Sequence, residues 1–240
     1  MADYNYKAGK KRIKDILNNK LQVIENNKIP NNENFTFSNA YYGWVTAIFV
    51  DIRNSTDLFS KGNKEIVSKM IRSFTSEIIE ILRNDDNLRE IGIRGDCIYA
   101  IYATPNKQDD LEIINKSFYI NTFMKMLNKL LVEKGFSTMS VGIGVSTAQE
   151  LVVKAGRKDV NINNSVWIGD AVTKASNLSS LGNKENYKSI LISESVYKNI
   201  NDSYKENWFT VRNSKEIGKF YDCDIIKTAF NNWIDSGMRE

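Results

Sequence analysis

The feature that most limits the fold of this 240-residue chain is a hydrophobic period that switches repeatedly between strand and helix. WVTAIFVD (44–51) is β-branched and aromatic and reads as a buried strand. Residues 63–83 then repeat at helical spacing, with Val67, Met70, Ile71, Phe74, Ile78 and Ile81 on one face. Residues 88–93 and 97–103 read as two strands around Arg94-Gly95-Asp96, a hairpin with glycine in its turn. A second long helix follows over 108–134, and MSVGIGVS (139–146) returns to a strand. The order β-α-β-β-α-β predicts an α+β fold of ferredoxin-like type, an antiparallel sheet with its helices on one face. ELVVKAG (150–156), SILIS (189–193) and the segments around 208–212 and 220–226 read as further strands, and 169–181 as a short helix. At the N-terminus, residues 6–27 read as an amphipathic helix carrying Ile13, Ile16, Leu17, Leu21 and Ile24, followed by a polar linker over 26–39. Residues 1–40 are therefore expected to be an N-terminal helical arm, and 41–240 the main domain.

Composition removes whole classes of chemistry. There is no histidine, so His general bases, Ser-His-Asp and Cys-His nucleophile systems and His-ligated zinc are excluded. The net charge of +4 is spread over interspersed residues, which argues for no nucleic-acid partner but is compatible with an anionic small molecule. Cys97 and Cys223 are too few for a tetrahedral zinc site and form no CxxC pair, as in a reduced, cytoplasmic chain. The N-terminus carries charge where a signal peptide needs an apolar stretch, and no run of about 18 apolar residues follows. No membrane partner is expected.

Asp51 ends an apolar strand, where a carboxylate has few inexpensive structural roles. The Asn54, Ser55 and Thr56 that follow can present a turn and a helix start to an anion, or Asp51 can simply cap that turn. Asp96 lies in the 94–96 hairpin. In a ferredoxin-like sheet the end of the first strand and this hairpin are neighbours. Asp51, Asp96 and the Ile52 carbonyl would then form an oxygen-only site for hard cations such as Mg²⁺ or Mn²⁺. Two such ions bridging phosphate oxygens serve phosphoryl transfer.

At this point FVDIRNST, with Asp51, and IGIRGDCIYAIY, with Asp96, resemble the two metal motifs of class III nucleotidyl cyclases. SVGIGVSTAQELVVKAG resembles the strand pair that follows them, and WIGDAVTKASNLSSLG the helix bearing transition-state residues. The likeness covers roughly residues 44–182. It implies a ribonucleoside triphosphate substrate, two Mn²⁺ or Mg²⁺ ions per site, and a head-to-tail homodimer whose sites are shared. The implied reaction is attack of the ribose 3′-oxygen on the α-phosphate, releasing pyrophosphate.

The departures from that pattern are informative. Where purine cyclases read adenine with a Lys and an Asp, this chain has Gly92 and Val166, neither of which can make a side-chain hydrogen bond. The usual transition-state Asn and Arg are Thr173 and Asn177. The missing positive charge is expected from Lys174, or from Arg94 or Arg157. Asp170, Thr173, Lys174 and Asn177 would share one helix face, which is either functional or merely solvated. Arg94 is read either as an ion-pair partner of the carboxylates or as a base or phosphate contact, and Phe49 either as core or as a surface for base stacking. The tail FYDCDIIKTAFNNWID, with WIGDAV and KASNLSSLG, resembles the Pycsar antiphage pyrimidine cyclases. That likeness implies cyclic UMP or cyclic CMP as product and a separate cyclic-nucleotide-sensing effector protein. Two alternatives stay open: a purine cyclase with relocated base readers, and an inactive nucleotide-binding homodimer.

Overall fold

The computed structural model describes residues 3–200, 205 and 208–239. Its elements are α1 (Tyr6–Asn18), β1 (Gln22–Glu25), β2 (Asn39–Ile52), α2 (Ser55–Lys61), α3 (Lys64–Arg83), β3 (Leu88–Arg94), β4 (Cys97–Ala103) and α4 (Lys107–Glu133). There follow β5 (Val141–Arg157), β6 (Ile162–Gly169), α5 (Asp170–Leu181), β7 (Ile190–Ser193), α6 (Glu194–Asn199), β8 (Thr210–Ser214), β9 (Gly218–Cys223) and α7 (Thr228–Asp235).

The central strands run β3-β4-β2-β5, all antiparallel, which is the expected ferredoxin-like core. The sheet as a whole is mixed, because β1 joins β2 and β7 joins β5 in parallel, and β9 and β8 extend it further. The helices do not all lie on one face, contrary to the sequence expectation. Strand alternation gives each face its own apolar set. Ile48, Val50, Ile98 and Tyr102 point into one core with Met70, Phe74 and Ile78 of α3 and Ile113, Phe123 and Leu127 of α4. Val45, Ala47, Ile101 and Val152 form a second core with Ala171 and Ala175 of α5.

Glycine explains why α5 seats there. Gly142 and Gly144 of β5 lie under the helix, and a Cβ on either would collide with its backbone, at Ser179 and Ala175 respectively. The helix lies flat on the strand because both positions lack a side chain.

Other differences have local causes. Helix α1 ends at Asn18, and 22–25 pair with β2 as a strand, so helical spacing over 6–27 describes two elements. Ile29 and Phe35, in the expected polar linker, are buried in the second core. The Arg89 guanidinium fixes this segment through the Ile29 carbonyl at 2.7 Å. Residues 141–157 form one continuous 17-residue strand rather than two. Strand β6 escaped the sequence pattern because its Ile162, Val166 and Ile168 are exposed. Among the described residues, no helix is long and apolar enough to cross a membrane.

Candidate functional site

Antiparallel pairing of β2 with β4 sets Asp51 opposite Cys97, and Asp96 is the residue before Cys97. The two-residue turn Gly95–Asp96 closes the hairpin, with Gly95 at φ +63°, a conformation glycine adopts without cost. The sheet thus brings Asp51 and Asp96, 45 positions apart, to one edge. Burial raises the Asp51 pKa, Arg53 opposes that rise, and the Asp96 charge adds to it. The carboxylates therefore sense each other. With the adjoining Ile52 carbonyl they are hard oxygen donors of the kind a divalent cation accepts. The Asp96 charge that adds to the rise at Asp51 is what a cation between the two would offset. Among the described residues there is no cluster of three or more His, Cys, Asp or Glu able to hold a metal.

The cation beside Asp51 is Arg53, a residue to which the sequence reading gave no role. Its side chain is 4% exposed. It pairs with the Asp51 carboxylate, bonds the Asp51 carbonyl, and donates to Ser179 O at 2.8 Å and Ser180 O at 2.7 Å. Those carbonyls end α5, where a helix dipole favours positive charge. Arg53 therefore ties the carboxylate edge to α5. Arg94 ends β3, is exposed, and has no carboxylate partner among the described residues. The ion pair considered for Arg94 thus belongs to Arg53. The usable signal was the position of Arg53, two residues beyond Asp51.

Asn54 stands in the left-handed region (φ 53°) and leads into α2, with half-buried Ser55 and exposed Thr56 in its first turn. Along α5, Ala171, Ala175 and Leu178 are fully buried while Asp170, Thr173 and Asn177 are exposed, which is the face division read from sequence. The Thr173 hydroxyl donates to Gly169 O at 3.1 Å. Lys174 pairs with Asp170 at 2.8 Å and Arg157 with Asp159 at 2.7 Å, so two of the three candidate charges already have a local partner, while Arg94 has none among the described residues. Glu150 of β5 reaches the start of α5, accepting from the amides of Ala171 and Val172. It is fully buried, its second oxygen is unpartnered, and burial raises its pKa.

Phe49, two residues before Asp51 on the same face, stacks on Tyr99 with ring centroids 5.2 Å apart and 15° between planes. Gly92 lies opposite Tyr99, and a Cβ there would stand 2.6 Å from its ring. The glycine therefore makes room for the tyrosine. Val166 is exposed on β6 opposite Val153. Cys97 and Cys223 are unpaired, and burial pushes both thiols up to about 12, which keeps them protonated.

The family model for the adenylate and guanylate cyclase catalytic domain matches residues 37–219. A uridylate cyclase of Treponema porcinum is 58% identical over 235 residues, covering 98% of this chain and 82% of that protein. A uridylate cyclase of Gulbenkiania mobilis is 31% identical over 249 residues, covering 97% of this chain and 96% of that protein. The crystal structure of the adenylyl cyclase CyaB from P. aeruginosa shares the fold, with a TM-score of 0.63 at 20% identity over 77% of this chain and 95% of that one.

Proposed function

Because the chain belongs to the adenylate and guanylate cyclase catalytic domain family, we propose that it converts UTP to 3′,5′-cyclic UMP and pyrophosphate. Two relatives bearing the uridylate cyclase name support the substrate. The observation that carries the reading is the convergence of Asp51 and Asp96 at one end of the paired strands, with the Tyr99 ring against Gly92, where purine cyclases carry a base-reading Lys.

The ribose 3′-oxygen attacks the α-phosphorus, the bond to the β-phosphate oxygen breaks, and the 3′-hydroxyl proton is lost to solvent or phosphate. Two Mg²⁺ or Mn²⁺ ions held by Asp51, Asp96 and the Ile52 carbonyl would supply acidification of that hydroxyl and charge for the triphosphate. Asn54, Ser55 and Thr56 begin three residues after Asp51, at the start of α2, and would face the phosphates. Thr173 and Asn177 offer hydrogen bonds on the exposed face of α5, and Lys174 offers charge once it leaves Asp170. Phe49 offers a stacking surface to the base. Arg94 and Val166 border that space. The working unit is a homodimer with shared sites, acting in the cytoplasm. Its product would serve a separate cyclic-nucleotide-sensing effector in antiphage defence.

The test is incubation with each of the four ribonucleoside triphosphates and Mn²⁺, with products identified by mass spectrometry and Asp51→Ala as control. Cyclic UMP from the wild type alone supports the reading. Cyclic CMP in its place moves the substrate, a cyclic purine rejects the pyrimidine assignment, and no cyclic product under any condition rejects catalysis.

A further inference from the structure

Glu90 of β3, Tyr99 of β4, Phe49 of β2 and Trp167 of β6 meet in one half-buried cluster with a single carboxylate in it. The Tyr99 hydroxyl donates to Glu90 Oε1 at 2.6 Å, and Trp167 Nε1–H donates to Oε2 at 2.8 Å. Among the described residues no Lys or Arg pairs with Glu90, and its carboxylate is held by two neutral donors. Burial and the Glu90 hydrogen bond push the Tyr99 hydroxyl up to about 12, so it stays a donor. Each Glu90 oxygen keeps a second lone pair. The stacked Phe49–Tyr99 pair supplies a flat apolar surface. Phe49 is about 7 Å along β2 from Asp51, on the same face. A flat ring bearing an N–H donor is the ligand this arrangement fits.

We propose that Glu90 reads the substrate base by accepting the ring N3–H of uracil, with Trp167 and Tyr99 as the residues that position it. This rests on the uridylate reading above and supplies its specificity group. Uracil carries a hydrogen on N3. Cytosine presents a lone pair there, which opposes the carboxylate lone pair. A site built to pair with a substrate N–H discriminates against an analogue lacking it, because a buried group is left unpaired.

Glu90 also straps β6 to β3 through Trp167, so the test must move something a strap would not. The measurement is kcat/KM for UTP and for CTP, in the wild type, Glu90→Gln and Trp167→Phe. Glu90→Gln is expected to lower kcat/KM for UTP by roughly tenfold to a hundredfold, mainly through KM. CTP turnover should hold or rise, since the amide can donate to cytosine N3. Trp167→Phe leaves the carboxylate without its aim, and the UTP preference should fall in the same direction by less. An unchanged UTP-to-CTP ratio in Glu90→Gln, or an equal loss for both substrates, overturns the assignment. Should Glu90→Gln not fold, the same ratio in Trp167→Phe decides. A wild type that makes no cyclic UMP fails the proposed function itself, and this inference with it. A wild type that makes cyclic UMP beside a Glu90→Gln of unchanged ratio fails the base-reading role alone.

Discussion

Arg53 gathers four oxygen acceptors from two elements around one guanidinium, so its removal strands a carboxylate and the carbonyl end of α5 together. Arg53→Met is expected to cost about 2–4 kcal/mol of unfolding free energy, measured by urea titration. Glu150 gives a prediction with the opposite sign. Burial lifts its folded pKa above 4.5, so the native state binds its proton more tightly than the unfolded chain does. Its contribution is present below pH 4.5 and is lost as pH rises through the higher folded value. Glu150→Gln keeps an oxygen for the Ala171 amide and has nothing to ionise. It should flatten the decline in stability from pH 4.5 upward and equal or exceed the wild type at pH 7, measured by denaturant titration across that range. Of these residues, sequence singled out Asp51 and Asp96, because a carboxylate after an apolar strand is conspicuous. Arg53, Glu90 and Glu150 look like ordinary surface charges until their partners, 126, 77 and 21 positions away, are known.

At the scale of elements, α5 is held by the absence of side chains beneath it. Gly144→Ala is expected to destabilise by about 1–3 kcal/mol or more, because the new methyl meets helix backbone that cannot rotate away. A drop in melting temperature measures it. The sequence pattern SVGIGVS read correctly as strand, but nothing in it says which face a helix will cover. For the same reason β6 was missed. Ile162, Val166 and Ile168 face outward and Trp167 alone turns toward the core, so burial never imprinted a pattern that a one-dimensional reading could detect.

For the whole molecule, the apolar strip of α1 has no partner among the described residues. Ile13, Ile16 and Leu17 are 58%, 71% and 77% exposed. A homodimer with shared sites makes a direct prediction: Asp51→Ala and a Thr173→Ala/Asn177→Ala double variant, each inactive alone, recover cyclase activity when mixed. Activity that stays absent in the mixture, with mixed dimers verified by mass spectrometry, would place each complete site in one subunit.

By itself the sequence determined the central β-α-β-β-α-β order, the two carboxylates and the two faces of α5. Each of those is written in short-range periodicity or in a residue's position at the end of an apolar run. Only the tertiary structure decided that α5 covers the face opposite α3 and α4, that Arg53 holds Asp51, and that Tyr99 lies over Gly92 and stacks on Phe49. Those arrangements depend on which distant strands become neighbours, and pairing between strands is fixed by the packed sheet rather than by any local stretch of chain.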